Sequence, residues 1–369
     1  MFKVKVSKIA GTVNCISENA VNATATRQCS KPELDCSFLR RCYVEAVNSL
    51  LLAVLGALAS TNPPVASNNF VVQTTGVSTN VPDPNDPAEK EYQKLLEQDD
   101  AAQEEVDKWI HDDAAFREQG AGLAEARLRA RVEARLKPVR EAYEDFLRRH
   151  PAHARAHLAY GSFLHDIHDE EAGVEHWEKA RELEPKNPAA WNNLANHYGH
   201  RGPVKKAFEY YARAIELNPA EPVYYQNFAT TVFLFRKDAM EFYKIDEQQV
   251  FSKSLELYRQ ALKLDPENFL LATDLAKTYY GIKPVRTAEA IAAWEYALKV
   301  APNDTDREGV YIHLARFKLN AGRFDEARKT LNVVTNEIYA ELKKHLLKNL
   351  ELQEHEAKGT NAPPVKDAK

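Results

Sequence analysis

Along the second half of the chain, large apolar residues recur at helical spacing in paired runs, and each pair closes on a proline. Pro151, Pro185 and Pro219 are 34 residues apart; Pro266 and Pro302 follow after 47 and 36, or 34 plus insertions of 13 and 2. The closing phrases are alike: YEDFLRRHP, WEKARELEP, YYARAIELNP, YRQALKLDP and WEYALKVAP. A 34-residue period with helical spacing inside it predicts pairs of helices, with proline ending each pair because it cannot continue a helix.

Small residues mark where the two helices of a pair must approach closely. On the first helix they are Gly161, Ala195, Ala229, Ala276 and Ala315. On the second they are Gly173, Ala207, Ser254, Ala290 and Ala327, then Ala180, Ala214, Ala261 and Ala297. A large residue fills the gap between those second-helix rows: Trp177, Tyr211, Tyr258, Trp294 and Leu331.

The pattern changes toward both ends. Arg40 and Arg41 precede an apolar run from Ala46 to Ala59, 14 residues ending Ala57-Leu58-Ala59. A basic segment, a short apolar run and an A-x-A ending describe a secretory signal peptide, and a bilayer span needs about 20 residues. Residues 1–59 therefore read as a leader with a signal peptide, against competing readings as an uncleaved anchor or a buried helix. Glu45 and the long segment upstream are unusual for such a leader. Residues 60–87, rich in Pro, Asn, Thr and Ser, read as a disordered linker. Residues 88–113 carry ten acidic residues against three lysines, with patchy apolar positions at Tyr92, Leu95, Leu96, Val106, Trp109 and Ile110. They predict a solvated helix or helix pair that leads, within 88–153, into a degenerate repeat. Five repeats over 154–339, a capping helix over 336–355 and a disordered tail over 356–369 complete the chain.

Composition narrows the function classes. The chain has 369 residues, 44% hydrophobic and 28% charged, with a net charge of −5. A mildly acidic chain with no Lys/Arg patch interleaved with aromatics has no general pull toward nucleic acid. Cys15, Cys29, Cys36 and Cys42 are the only cysteines; they form no CxxC pair, and cleavage after Ala59 would remove them all. No GxSxG and no phosphate-cradling glycine loop occurs, and GAGLAEA at 120–126 lacks the preceding strand that a dinucleotide loop requires. The chain reads as non-enzymatic and free of cofactor.

The stretch NPAAWNNLANHYGHRG, residues 187–202, carries a specific pattern: Trp191, Leu194, Ala195, Tyr198, Gly202, Ala207, Tyr211, Ala214 and Pro219 fall on the signature positions of the tetratricopeptide repeat family. The chain resembles that family over 154–339, with departures at His157, Ala272 and Lys318. The resemblance implies an all-α, right-handed superhelical solenoid of antiparallel helix pairs, and an exported bacterial array protein that binds a protein or peptide partner.

In that family the first helix of each pair lines the concave groove. The resemblance sends Trp191, Leu194, Ala195 and Tyr198 into the packing and leaves Asn192, Asn193 and Asn196 toward the groove, without a structural role. Their equivalents are Gln226, Asn227 and Thr230 in the third unit, Asp274 and Lys277 with Thr273 in the fourth, and His313 and Arg316 with Ile312 in the fifth; the first unit offers Leu158, Ala159 and Ser162. An asparagine donates and accepts at once, matching the N–H and C=O of an extended peptide. Asn193 and Asn227 are similar to the asparagine ladder of the O-linked N-acetylglucosamine transferase, which Ala159 and His313 break. A second reading is a carboxylate clamp from Asn196, Asn227, Lys277 and Arg316, as in chaperone adaptors, although the Lys-x-x-x-Asn of the first clamp helix is missing. A solvated groove without a dedicated ligand is the third.

Two further features are left over. Eight histidines crowd 150–200: His153 and His157 share a helix face at i, i+4, and His165, His168, His197 and His200 lie near one hairpin edge. No carboxylate set repeats with them, so no metal site is assigned, and a metal-binding edge stays as the minor reading. The 13-residue insertion, FLFRKDAMEFYKIDEQQVFSKS, starts its second helix at an Asp246/Gln249 capping box, predicting that both helices lengthen and project. Phe233, Phe235, Phe242 and Tyr243 there either pack on one another or, as Phe235, Phe242 and Tyr243, offer a hot spot to a partner. The function expected is a periplasmic or cell-envelope scaffold holding an extended partner segment; the alternative is a cytoplasmic adaptor or chaperone-like module.

Overall fold

The computed structural model describes residues 86–118 and 125–360. The predicted leader, the signal peptide and the linker up to residue 85 lie outside the described residues, as does 361–369. Among the described residues there are fourteen α-helices and no strand. The fold is the all-α solenoid of antiparallel helix pairs that the repeat predicts. The chain divides between Leu271 and Ala272 into two compact units.

The N-terminal unit begins with α1 (Pro87–Glu118) and α2 (Glu125–Arg149). The acidic segment is one 32-residue helix, and it is not merely solvated. Tyr92, Leu95, Ala102 and Val106 share one face and pack with Leu136, Val139, Tyr143 and Phe146 of α2. Asp99 is fully buried and accepts a 2.7 Å hydrogen bond from the Tyr143 hydroxyl, so this acid on the inner face is partnered. Arg131 lies 3.6 Å over the Trp109 ring.

Three helix pairs follow: α3 (Ala154–Asp166) with α4 (Glu170–Leu183), α5 (Pro188–Arg201) with α6 (Val204–Leu217), and α7 (Pro222–Leu234) with α9 (Glu247–Leu264). The short α8 (Arg236–Tyr243) lies in the insertion. Local signals account for the ends. Asn187 caps α5 by accepting from Ala189 N, with Pro188 at the first helical position. Gly202 ends α5 at φ +80°, a conformation that suits a residue without a Cβ. The rows of small residues are sealed: Ala195, Ala229, Ala207 and Ser254 are all 0% exposed. The first pair shows why the row must be small. A Cβ on Gly161 would stand 2.5 Å from Trp177 Cδ1, and one on Gly173 2.8 Å from the Gly161 carbonyl oxygen.

The insertion corrects one expectation. The Asp246/Gln249 capping box forms and starts an 18-residue α9, but α7 stays at 13 residues. The chain turns at Phe235 and folds α8 back, putting Phe242 and Tyr243 against Phe208 of α6 at ring separations of 5.5 and 5.7 Å. Burying the aromatics on an existing apolar face is more favourable than holding them out in water on a lengthened hairpin.

In the C-terminal unit, α10 (Phe269–Thr278) crosses the division and is followed by α11 (Thr287–Lys299), α12 (Asp304–Asn320), α13 (Phe324–Asn332) and α14 (Ala340–Thr360). Ala290, Ala297 and Ala327 are buried as the repeat predicts. Leu346 and Leu350 of α14 pack with Ile312, Ala315 and Leu331, so the last helix closes the apolar end of the stack. It runs to Thr360, past the 355 expected from sequence.

Candidate functional site

The first-helix polar positions are hydrogen-bonded to the large second-helix residues. Asn196 Oδ1 accepts from the Tyr211 hydroxyl at 2.7 Å, and the Tyr211 oxygen accepts from Thr231 Oγ1 at 3.2 Å. At the equivalent place in the next pair, Thr230 Oγ1 and the Tyr258 hydroxyl lie 2.7 Å apart. In the preceding pair Ser162 Oγ accepts from Trp177 Nε1 at 3.3 Å. One position on the first helix therefore ties down the polar tip of the residue that fills the hairpin, three times running.

The remaining amides bridge successive first helices. Asn193 Nδ2 donates to Ser162 Oγ at 3.3 Å, linking α5 to α3, and Asn227 Nδ2 donates to Asn192 Oδ1 at 3.2 Å, linking α7 to α5. Asn192 is 3% exposed and Asn193 9%. The expectation that these amides have no structural role is corrected. Neighbouring first helices pack so closely that the strip beside the small-residue row is covered, and a buried amide must find a partner there. Asn196, Gln226, Asn227 and Thr230 remain partly exposed. Of these, Asn196 keeps its N–H groups and Asn227 its carbonyl oxygen beyond the bonds described. Both are amides with one end fixed by the fold and the other toward solvent.

The C-terminal unit treats the same positions differently. Asp274 and Lys277 form an ion pair with each other at 3.4 Å. His313 stacks on Trp294 with centroids 4.1 Å apart and 8° between planes, and its Nδ1 meets the Tyr280 hydroxyl at 2.8 Å. Desolvation, with Arg316 and Lys277 adding repulsion, pushes the imidazole down to about 3. His313 breaks the amide pattern because it is a packing residue. Arg316 sits 5.8 Å over the Tyr280 ring. The clamp set of the sequence reading falls two and two on the two units: Asn196 and Asn227 on one, Lys277 and Arg316 on the other.

Phe235, Phe242 and Tyr243 are partly buried against the Phe208 cluster, the packing alternative of the sequence reading. Lys253 stands 4.3 Å over the Tyr243 ring, and burial lowers its amine below the ordinary value. The histidines separate into distinct roles. His153 caps α3, its Nδ1 accepting from Ala156 N, while its Nε2 meets Glu89 at 3.1 Å. His157 stacks on His176, whose imidazole is pushed down to about 4 by desolvation. His153 and His157 therefore do not share a ligand-facing surface. His165, His197 and His200 are also held below their ordinary value by desolvation.

Comparison with known proteins follows the same boundaries. Family models match residues 125–190, described as TmcB, TPR repeats, and residues 169–222 and 285–341, each described as tetratricopeptide repeat. The TPR repeat-containing protein MJ1428 of Methanocaldococcus jannaschii is 27% identical over 139 residues, 38% of this chain and 21% of its own length. The photosystem I assembly protein Ycf3 of Rippkaea orientalis is 29% identical over 86 residues, 23% of this chain and 50% of its own. The chain thus spans about a fifth and a half of the lengths of these relatives. Among solved structures, PilF of Pseudomonas aeruginosa is similar at 16% identity and a TM-score of 0.43, over 70% of this chain and 99% of that one. No helix among the described residues is long and apolar enough to cross a membrane. The matches to tetratricopeptide-repeat models fall on residues 125–222 and 285–341, where the closing prolines and small-residue rows set the helix pairs.

Proposed function

We propose that the chain is a non-catalytic protein–protein interaction scaffold, and that its N-terminal unit holds an extended segment of a partner along the first helices α3, α5 and α7. The observation that carries this reading is the pair of amides, Asn196 and Asn227, each fixed at one end by a hydrogen bond within the fold. A side chain already held in place loses little rotamer freedom on binding, so its free donor or acceptor contributes more to affinity. Their free groups are a donor pair on Asn196 and an acceptor on Asn227, the complement of a peptide unit. Nucleic acid does not fit a chain of net charge −5. That Ycf3 is named an assembly protein fits an adaptor of this kind.

The reading also places the chain in the periplasm or cell envelope, on the strength of residues 38–60. N-terminal sequencing of the native protein should find a start near Ser60, and a start at Met1 favours the cytoplasmic adaptor instead. The groove is tested by selecting peptides from a random display library on the whole chain. Asn196→Asp keeps an oxygen that accepts from Tyr211 and replaces the solvent-side N–H groups with a charged oxygen that can only accept. Selected peptides should bind this variant about 5- to 10-fold more weakly, the worth of a hydrogen bond, with the melting temperature unchanged. Equal binding to wild type, Asn196→Asp and Asn227→Ala would remove the groove from consideration.

A further inference from the structure

The edge where α3 ends and α4 begins meets the C-terminal end of α5. There the ligand-capable atoms of His165, Glu170 and His197 all lie within 4.8 Å of one another. His165 is on the last turn of α3, Glu170 on the first turn of α4 and His197 in the last turns of α5. Three groups from three helices converge, and the close approach at Gly161 and Gly173 makes this possible: a Cβ on Gly173 would lie 3.3 Å from the His165 backbone nitrogen. Glu170 was not visible as a partner in the sequence, because it belongs to no repeating carboxylate row.

The cluster also has an unmet need. His197 Nδ1 is buried and has no hydrogen-bond partner among the described residues. A neutral imidazole nitrogen sealed from water without a partner is costly to leave unpaired. The ring of His165 is braced at 5.2 Å by Trp177, which limits its rotation. Glu170 is held by Arg201 through both carboxylate oxygens, the guanidinium Nε donating to Oε2 at 2.5 Å and Nη2 donating to Oε1. A carboxylate has lone pairs beyond those a guanidinium occupies, so the Arg201 bond orients Glu170 while its charge opposes a cation.

We infer that His165, Glu170 and His197 form a binding site for a zinc-class divalent cation, with two imidazoles and one carboxylate as ligands and a water completing the shell. Two histidines and a carboxylate are a donor set that zinc accepts in four-coordinate geometry, whereas magnesium and calcium prefer all-oxygen shells. The ion would join three helices of two successive pairs, tying α5 to the α3–α4 hairpin.

The test is calorimetric titration of the tag-free, metal-stripped full chain with zinc chloride, with cobalt chloride read by visible absorption. One zinc per chain is expected, with the intense visible bands of a tetrahedral cobalt site. His165→Gln and His197→Gln should each weaken zinc by more than about 100-fold, the upper end for loss of an outer-shell partner. Glu170→Gln keeps the shape of the side chain and should weaken zinc at least about 10-fold, which guards against misfolding of the histidine variants. Arg201→Gln should bind zinc more tightly, because it removes the opposing charge and leaves all three ligands. No zinc binding by the wild type, or undiminished binding by folded His197→Gln and Glu170→Gln, overturns the site.

Discussion

The helix pairs of the N-terminal unit and those of the C-terminal unit solve one packing problem in two ways. In α3 to α9 the large second-helix residue carries a polar tip, and a small polar residue on the first helix receives it: Trp177 with Ser162, Tyr211 with Asn196, Tyr258 with Thr230. In the fourth pair the receiving position is Lys277, which has donors only. Trp294 Nε1 accordingly has no partner among the described residues, and the indole is held by the face of His313 instead. The first solution leaves a side chain that is half fold and half surface, and so available to a ligand. The second spends the equivalent position on an exposed ion pair and leaves the indole to a stacked imidazole from the next first helix.

The largest consequence of this difference is a pH dependence. The His313 imidazole titrates at about 3 in the folded chain, against about 6.5 unfolded. Between these values the unfolded state binds the extra proton, so stability falls as pH drops from 6.5 toward 3 and is unaffected by this group above 6.5. At pH 5 the loss from this one residue is about 2 kcal/mol. Urea unfolding of wild type and His313→Gln at pH 7 and pH 5 should show the wild type losing about 2 kcal/mol more than the variant across that interval. Equal losses would mean that His313 is not the packing residue the stacked geometry indicates. His176, lowered to about 4 in the N-terminal unit, acts in the same direction and is common to both proteins.

How much of this could be read from the residues alone follows from the kind of interaction involved. The helix pairs, the buried Ala and Ser rows, the Asp246/Gln249 capping box and the extra residues near 240 are local or periodic, and such features are written in spacing. The role of Asn196 is not local. Its partner Tyr211 lies 15 residues on, across a hairpin, and a family register names a face without naming what reaches it. A signal did exist: Ser162, Asn196 and Thr230 keep the 34-residue period, and each has Trp177, Tyr211 or Tyr258 at the matching second-helix position. Two periodic rows, one of acceptors and one of donors, imply a bond that neither row implies alone. Glu170 escaped for the opposite reason, since a site built once on a repeat edge has no period to betray it. The fold-back of α8 was hidden because aromatics read equally as a projecting cluster or as a cover for Phe208.

A smaller effect measures the tie within the N-terminal pairs directly. Tyr211→Phe keeps the ring stacked on Phe228 at 5.4 Å and removes only the hydroxyl. Asn196 is partly exposed, so water can replace the lost donor, and the cost should be about 1 kcal/mol. Denaturant unfolding at pH 7 reads this as a lower midpoint with an unchanged slope. No change would reduce the Tyr211–Asn196 bond to a coincidence of position.

The smallest effect is the most informative, because it carries one solution into the other unit. Lys277→Ser puts at the fourth pair the residue that Ser162 supplies at the first, and offers an acceptor where Trp294 Nε1 has none. What is lost is the Asp274–Lys277 ion pair, which is solvent-exposed and worth a few tenths of a kcal/mol. What is gained is a partner for a buried indole N–H, about 0.5–1.5 kcal/mol. The variant should therefore be slightly more stable than wild type at neutral pH, by about 0.5–1 kcal/mol. Removing Lys277 also removes one of the charges that depress His313, so its pH slope should soften in the same protein. A destabilised Lys277→Ser would show that the stacked His313 leaves no room for the bond, making the two solutions mutually exclusive rather than interchangeable. Either result fixes whether the receiving position is a structural acceptor first and a ligand contact second.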